Sequence, residues 1–163
     1  MRPVRVLIID DSMTMRRLIR LALSGDPRID VVGEARDAQQ ARERLGELRP
    51  DVLTLDVEMP GQSGLDFLER LMAVRPMPVI MVSTETHHGT AAALEALSMG
   101  ADKAVHVNDE ALHGSDAVTT AKVLAKAIGT VGEVAGRYGI HQVGNHSVRT
   151  LLAKNPAGWQ EAM

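Results

Sequence analysis

Apolar runs alternating with helical periodicities over the first ~130 residues predict an α/β fold built on a parallel sheet. Three observations carry that prediction. The run Val4–Ile9 is apolar except for Arg5 and largely β-branched, as suits a strand buried on both faces. A strand followed by a helix recurs five times in succession. Two of the strands stop abruptly at carboxylates, at Asp10-Asp11 and at Asp56. With 163 residues, 45% of them hydrophobic, the chain has room for one domain and an appendage but not for a second full-sized domain.

Each element follows from local pattern. After the first strand, Met15, Leu18, Ile19, Ala22 and Leu23 recur at helical spacing, with Asp11 or Ser12 as cap and Gly25 as stop, which predicts a helix over 14–23. A short strand over 29–32 and an amphipathic helix over 38–48 come next, closed by Pro50. The third strand, over 52–55, runs into Asp56, and Met59-Pro60-Gly61 marks a turn. A helix over 64–74 turns Leu65, Phe67, Leu68, Leu71 and Met72 inward, and a fourth strand over 78–82 ends at Ser83-Thr84. An alanine-rich helix over 90–99 leads through Gly100 to a fifth strand over 104–107, and a helix over 116–128, capped by Ser115, completes the series. Beyond Gly129 the pattern decays: glycines interrupt each candidate element, only 148–154 looks helical, and 134–163 reads as a tail.

Composition narrows the function classes. Phe67, Tyr138 and Trp159 are the only Phe, Tyr or Trp rings, so stacking platforms for single-stranded nucleic acid are not expected. Lys+Arg 18 against Asp+Glu 21 gives a net charge of −3 and no broad basic field, so nucleic acid is not expected as a partner. The absence of cysteine removes disulfides, thiolate chemistry and Cys-ligated zinc. No apolar run approaches the roughly 18 residues of a membrane span, and the start does not read as a signal peptide, so no membrane association and a cytoplasmic location are expected.

The acids converge if the strands take the flavodoxin-like, doubly wound order 2-1-3-4-5. Strands one and three are then neighbours, and their carboxyl ends form the crevice where ligands bind in such sheets. Asp10, Asp11 and Asp56 would meet there, and like charges so close call for a hard divalent cation; Mg2+ fits, since it needs few protein carboxylates and keeps several waters. Taken singly, Asp11 could be a helix cap and Asp56 a turn residue. Their joint placement at adjacent strand ends favours a site.

Residues 4 to about 103 resemble a response-regulator receiver domain, most like the one preceding the catalytic domain of chemotaxis protein-glutamate methylesterases. The resemblance rests on Val6-Leu7-Ile8-Ile9-Asp10-Asp11-Ser12, on Asp51-Val52-Leu53-Thr54-Leu55-Asp56-Val57-Glu58-Met59-Pro60-Gly61, and on Pro76-Met77-Pro78-Val79-Ile80-Met81-Val82-Ser83-Thr84. It implies that Asp56 is the phosphoacceptor, that Asp10, Asp11 and the Glu58 backbone carbonyl join Asp56 around Mg2+, that Ser83 is the switch hydroxyl, and that a histidine kinase is the phosphodonor. No Gly-x-Ser-x-Gly motif follows, so the methylesterase is not expected in this chain and the domain is not itself an enzyme.

Two positions depart from the family pattern. Val107 stands where a lysine ends the fifth strand, and Ala104 where an aromatic lies three residues earlier. Lys103 is at the wrong end of the strand, roughly 13 Å away at 3.3 Å per residue, and alternation points His106 to the other face. Residues of about 93–129 resemble instead the electron transfer flavoprotein beta subunit, though the nucleotide-contacting loop has no counterpart and neither FAD nor AMP is expected. The sequence therefore divides into a domain over 1–133, receiver-like over 1–92 and flavoprotein-like over 93–133, and a tail over 134–163. An alternative follows: a recombined or engineered α/β chimera that folds but does not signal. A new sheet edge and a glycine-rich tail would also permit a homodimer. The histidines at 87, 88, 141 and 146 lack the i, i+4 spacing of a helical metal site, and Arg16, Arg17 and Arg20 read as a solvated basic edge on the first helix.

Overall fold

The computed structural model describes residues 2–83, 91–106, 124–128, 139–143 and 146–150. The first strand, β1 (Val4–Ile9), sits in the middle of a parallel sheet because beyond Arg5 its side chains, Val6 to Ile9, are apolar on both faces. Val6 and Ile8 point to one side, where they meet Ile19 and Leu23 of helix α1 (Met13–Leu23) and Leu124, Ala127 and Ile128 of a helical segment at 124–128. Leu7 and Ile9 point to the other, into a larger core shared with helices α2 (Ala38–Leu48), α3 (Gly64–Val74) and α4 (Ala91–Ser98). The period-2 alternation of one strand thus feeds two cores, which is the physical meaning of a doubly wound sheet.

β1 pairs parallel with β2 (Ile29–Ala35) on one side and with β3 (Val52–Leu55) on the other. β3 pairs with β4 (Val79–Ser83), and β4 with β5 (Lys103–His106), giving the order β2-β1-β3-β4-β5. The flavodoxin-like parallel arrangement expected from the sequence is the one observed. Its core is aliphatic, as the scarcity of rings requires, with Phe67 the one buried aromatic among the described residues. Met81 is fully buried, while Met72 and Met99 pack at the margin of the larger core.

Several boundaries differ from expectation. β2 runs three residues further than 29–32, because a register shift between Val6 and Leu7 lets Gly33, Glu34 and Ala35 pair with β1. Helix α1 is capped by Ser12, whose hydroxyl accepts from the Met15 N–H at 3.3 Å, and it closes on Ser24 in a right-handed conformation rather than on a left-handed Gly25. β5 starts one residue before the expected 104–107, so Lys103 lies inside the strand, opposite Ile80, and Ala104 pairs with Met81. Val107 lies outside the described residues, as do Ser115 and most of the helix expected over 116–128.

The largest correction concerns the tail. Gly139–Val143 (β6) and His146–Thr150 (β7) form a two-stranded antiparallel hairpin, so 148–150, read as the start of a helix, belong to a strand. Ile140, Val143 and Val148 with Thr150 supply β-branched residues at a spacing compatible with either period, and pairing with a neighbour decided for the strand.

Candidate functional site

Register places the acids. Ile9 of β1 stands opposite Leu55 of β3, so the next residues of the two strands, Asp10 and Asp56, emerge side by side at the carboxyl edge of the sheet. The Asp56 N–H donates to the Ile9 carbonyl at 2.9 Å and the Asp10 N–H to the Ala35 carbonyl at 3.0 Å, which fastens both chain ends to the sheet just as they leave it. Asp10, Asp11 and Asp56 each offer a carboxylate oxygen, and these oxygens lie within 4.8 Å of one another. Asp10 is buried, Asp11 exposed and Asp56 intermediate.

Such a cluster is electrostatically unfavourable by itself. Burial pushes the Asp10 carboxyl up from 3.8 to about 7, and the negative charges of Asp56 and Asp11 push in the same direction. The Ser12 N–H, donating to Asp10 Oδ1 at 2.8 Å, and the cation of Arg16 only partly offset this. A site that holds its central carboxyl half-protonated near neutrality is short of positive charge. Three convergent hard oxygens suit Mg2+ by donor type, by net charge and by leaving room for waters and an anionic oxygen.

Two further features shape the pocket. Pro60-Gly61 turns the chain after β3, with Gly61 at φ +80°, a conformation open to glycine and strained for other residues. The chain then returns so closely that a Cβ on Gly64 would overlap the Asp56 carbonyl, while the Gly64 N–H donates to the Val57 carbonyl at 2.7 Å. The side chain of Glu58 is exposed in this loop, two residues beyond Asp56. Beside Asp11, a recess of about 580 Å³ is lined by Arg36, Asp37, Arg42, Pro60 and Gln62 among others.

Not every candidate is assembled here. Ser83 closes β4, its backbone paired with His106, and its side chain lies outside the described residues. Ala104 is placed in β5 by its backbone, and Val107 lies outside the described residues. Sequence reasoning missed Arg16. Rather than lying on a solvated edge, it donates through one terminal nitrogen to the carbonyls of Asp10 at 2.8 Å and Asp11 at 3.1 Å, and through Nε to Glu34 at 3.2 Å. Its place in the first turn of the helix that directly follows Asp10-Asp11 was the available signal; Glu34 gave none, because the extension of β2 that carries it was not foreseen.

Comparison with known proteins agrees with this architecture. The family described as "Response regulator receiver domain" matches residues 6–112. A protein-glutamate methylesterase/protein-glutamine glutaminase of Rhizobium johnstonii is 62% identical over 99 residues, which cover 61% of this chain and 28% of the relative. The corresponding protein of Caulobacter vibrioides is 47% identical over 137 residues, 84% of this chain and 38% of that one. This chain thus spans well under half the length of these curated relatives. Among solved structures, the response regulator domain of Thermotoga maritima CheB superposes with a TM-score of 0.74 at 36% identity, covering 82% of this chain and 98% of that domain. No helix among the described residues is long and apolar enough to cross a membrane.

Proposed function

The chain belongs to the response regulator receiver domain family, and from that premise we propose that it accepts a phosphoryl group on Asp56, with Mg2+ held by Asp10, Asp11, Asp56 and the backbone carbonyl of Glu58. The convergence of three carboxylate oxygens within 4.8 Å at the ends of β1 and β3 carries this reading. Bound there, the cation would neutralise charge on the transferring oxygens.

The chain's own residues supply the rest. A carboxylate oxygen of Asp56 attacks the phosphorus of a phosphohistidine, the P–N bond breaks, and the imidazole leaves with its electron pair and takes up a proton. Asp56 acts from the ionised state, so no separate base is needed. Asp10, buried behind it, contributes charge without competing for the phosphorus. We assign Ser83 as the hydroxyl that would meet a phosphoryl oxygen. The donor class is a histidine kinase of the kind that serves chemotaxis receivers.

In this reading the acceptor is intact and its readout weakened, since Val107 and Ala104 supply neither a counter-charge nor a ring. The domain is taken to extend over 1–133 and the hairpin to lie beyond it. The flavoprotein-like reading of 93–129, and with it a spliced origin, is not favoured: any 137 residues of a 163-residue chain include 27–137, so the Caulobacter similarity crosses the supposed junction. Methylesterase chemistry is not assigned to these residues, because the match to the Rhizobium methylesterase is confined to 28% of its length.

The test is to incubate the chain with Mg2+ and a small acyl-phosphate donor and to follow the intact mass. A phosphoryl adduct that disappears in Asp56→Asn is expected. No adduct at any donor concentration would overturn the assignment.

A further inference from the structure

Adjacent residues of an extended strand point to opposite faces, so Asp10 and Asp11 can serve one site only because the chain turns between them. What holds that turn is on the far side of the backbone. Arg16, largely buried, donates through one terminal nitrogen to the carbonyls of both acids, at 2.8 and 3.1 Å. Its Nε is in turn held by Glu34 of β2 at 3.2 Å, and the other oxygen of Glu34 takes Arg20, one turn further along α1, at 2.6 Å. Burial works against the charge on Glu34, but Arg20 and Arg16 outweigh it and keep its carboxyl below the usual range. One planar guanidinium thereby ties the neighbouring strand, the first turn of α1 and the loop that presents two of the three carboxylates.

We propose that Arg16 is a positioning residue for the cation: it pins the Asp10 and Asp11 carbonyls so that both side chains face the shared site. This rests on the reading of the acid cluster as a Mg2+ site. The proposal makes a counter-intuitive demand. As a cation beside the cluster, Arg16 repels Mg2+, so simple electrostatics says that removing it should tighten binding. As a clamp it pre-orders the donors, and losing partners of that kind costs roughly 10- to 100-fold in metal affinity. The two effects have opposite signs, and the sign of the change identifies the role.

The experiment titrates MgCl2 into the full chain and into Arg16→Met, Arg16→Lys and Arg17→Met by calorimetry, with amide spectra of residues 10 and 11 recorded alongside. Arg17 is exposed on the same helix and controls for lost charge. Arg16→Met is expected to weaken Mg2+ by at least ~10-fold and to broaden the two amides, with Arg17→Met unchanged or slightly tighter. Arg16→Lys keeps the charge but not the planar fork that spans three acceptors, so it should recover only part of the loss; it also decides the matter if Arg16→Met does not fold. A residue that merely stabilised the fold would lower the thermal midpoint and leave the Mg2+ dissociation constant of the folded protein unmoved. Unchanged or tighter Mg2+ binding in both Arg16 variants would overturn the proposal. Absence of Mg2+ binding by the unsubstituted chain would instead overturn the metal site on which it rests.

Discussion

The carboxyl ends of β1 and β3 differ from those of β4 and β5 in what they carry. β1 and β3 run into Asp10, Asp11 and Asp56, fastened by backbone hydrogen bonds and, at the first turn, by Arg16. β4 and β5 end at Ser83 and His106, and the residues that would bring a lysine and a ring to this side are Val107 and Ala104. Under the proposed function the contrast separates two tasks: accepting a phosphoryl group needs clustered oxygens and a cation, whereas reporting it needs groups on neighbouring strands that respond to the new charge.

Breaking the acid half has the largest expected effect. Gly64→Ala drives a methyl group into the Asp56 carbonyl, and overpacking against rigid backbone should cost about 3 kcal/mol or more. Urea denaturation should show the loss, and Mg2+ affinity should fall with it because Asp56 must move.

Asp10→Asn acts in the opposite direction on stability. The folded-state carboxyl is raised to about 7 from an ordinary 3.8, so the folded chain binds more protons than the unfolded one between those values. Stability without metal therefore falls as pH rises from about 4 to about 7, by up to a few kcal/mol on the scale of 1.4 kcal/mol per pKa unit. Asp10→Asn should flatten that slope and make the metal-free protein more stable than the unsubstituted chain above pH 7, while abolishing Mg2+ binding. Thermal midpoints between pH 4 and pH 8 test this; an unchanged slope would show that Asp10 is not the buried acid responsible.

Restoring the other half sharpens the comparison. Val107→Lys returns a counter-charge for the phosphoryl group, and one such contact is worth on the order of 10-fold or more in rate. Adduct formation at fixed donor should accelerate by at least that factor, without change in Mg2+ affinity. Equal rates would mean that residue 107 does not face the site.

The smallest effect lies far from both. Arg28, itself exposed, holds the half-buried Asp26 carboxyl down at about 2 by hydrogen bonds. Its folded-state pKa is depressed, so its slight contribution is present above about pH 4 and lost as pH falls through 2. Asp26→Asn should leave the midpoint at pH 7 nearly unmoved, as ion pairs with a solvated partner generally do.

Much of the acid half was legible in sequence for a simple reason. A parallel strand buried on both faces is predominantly apolar, so a carboxylate directly after it marks the strand end, and adjacency of β1 and β3 then follows from the doubly wound order. What was illegible depended on partners distant in sequence. Glu34 joined β2 only because of a register shift between Val6 and Leu7, and without Glu34 the guanidinium of Arg16 had no visible reason to lie down on the backbone. The strand at His146–Thr150 was hidden because a five-residue segment satisfies helical and extended patterns alike until a second strand pairs with it.

Sequence alone determined the fold class, the aliphatic core and the identity of the three acids, since each follows from periodicity and from the cost of burying polar groups along a short stretch of chain. Tertiary structure decided the rest: that the three carboxylate oxygens lie within 4.8 Å, that Asp10 is driven toward neutrality, and that Arg16 braces the turn from behind. Those properties depend on distances between residues up to 46 positions apart, and only packing and strand register set such distances.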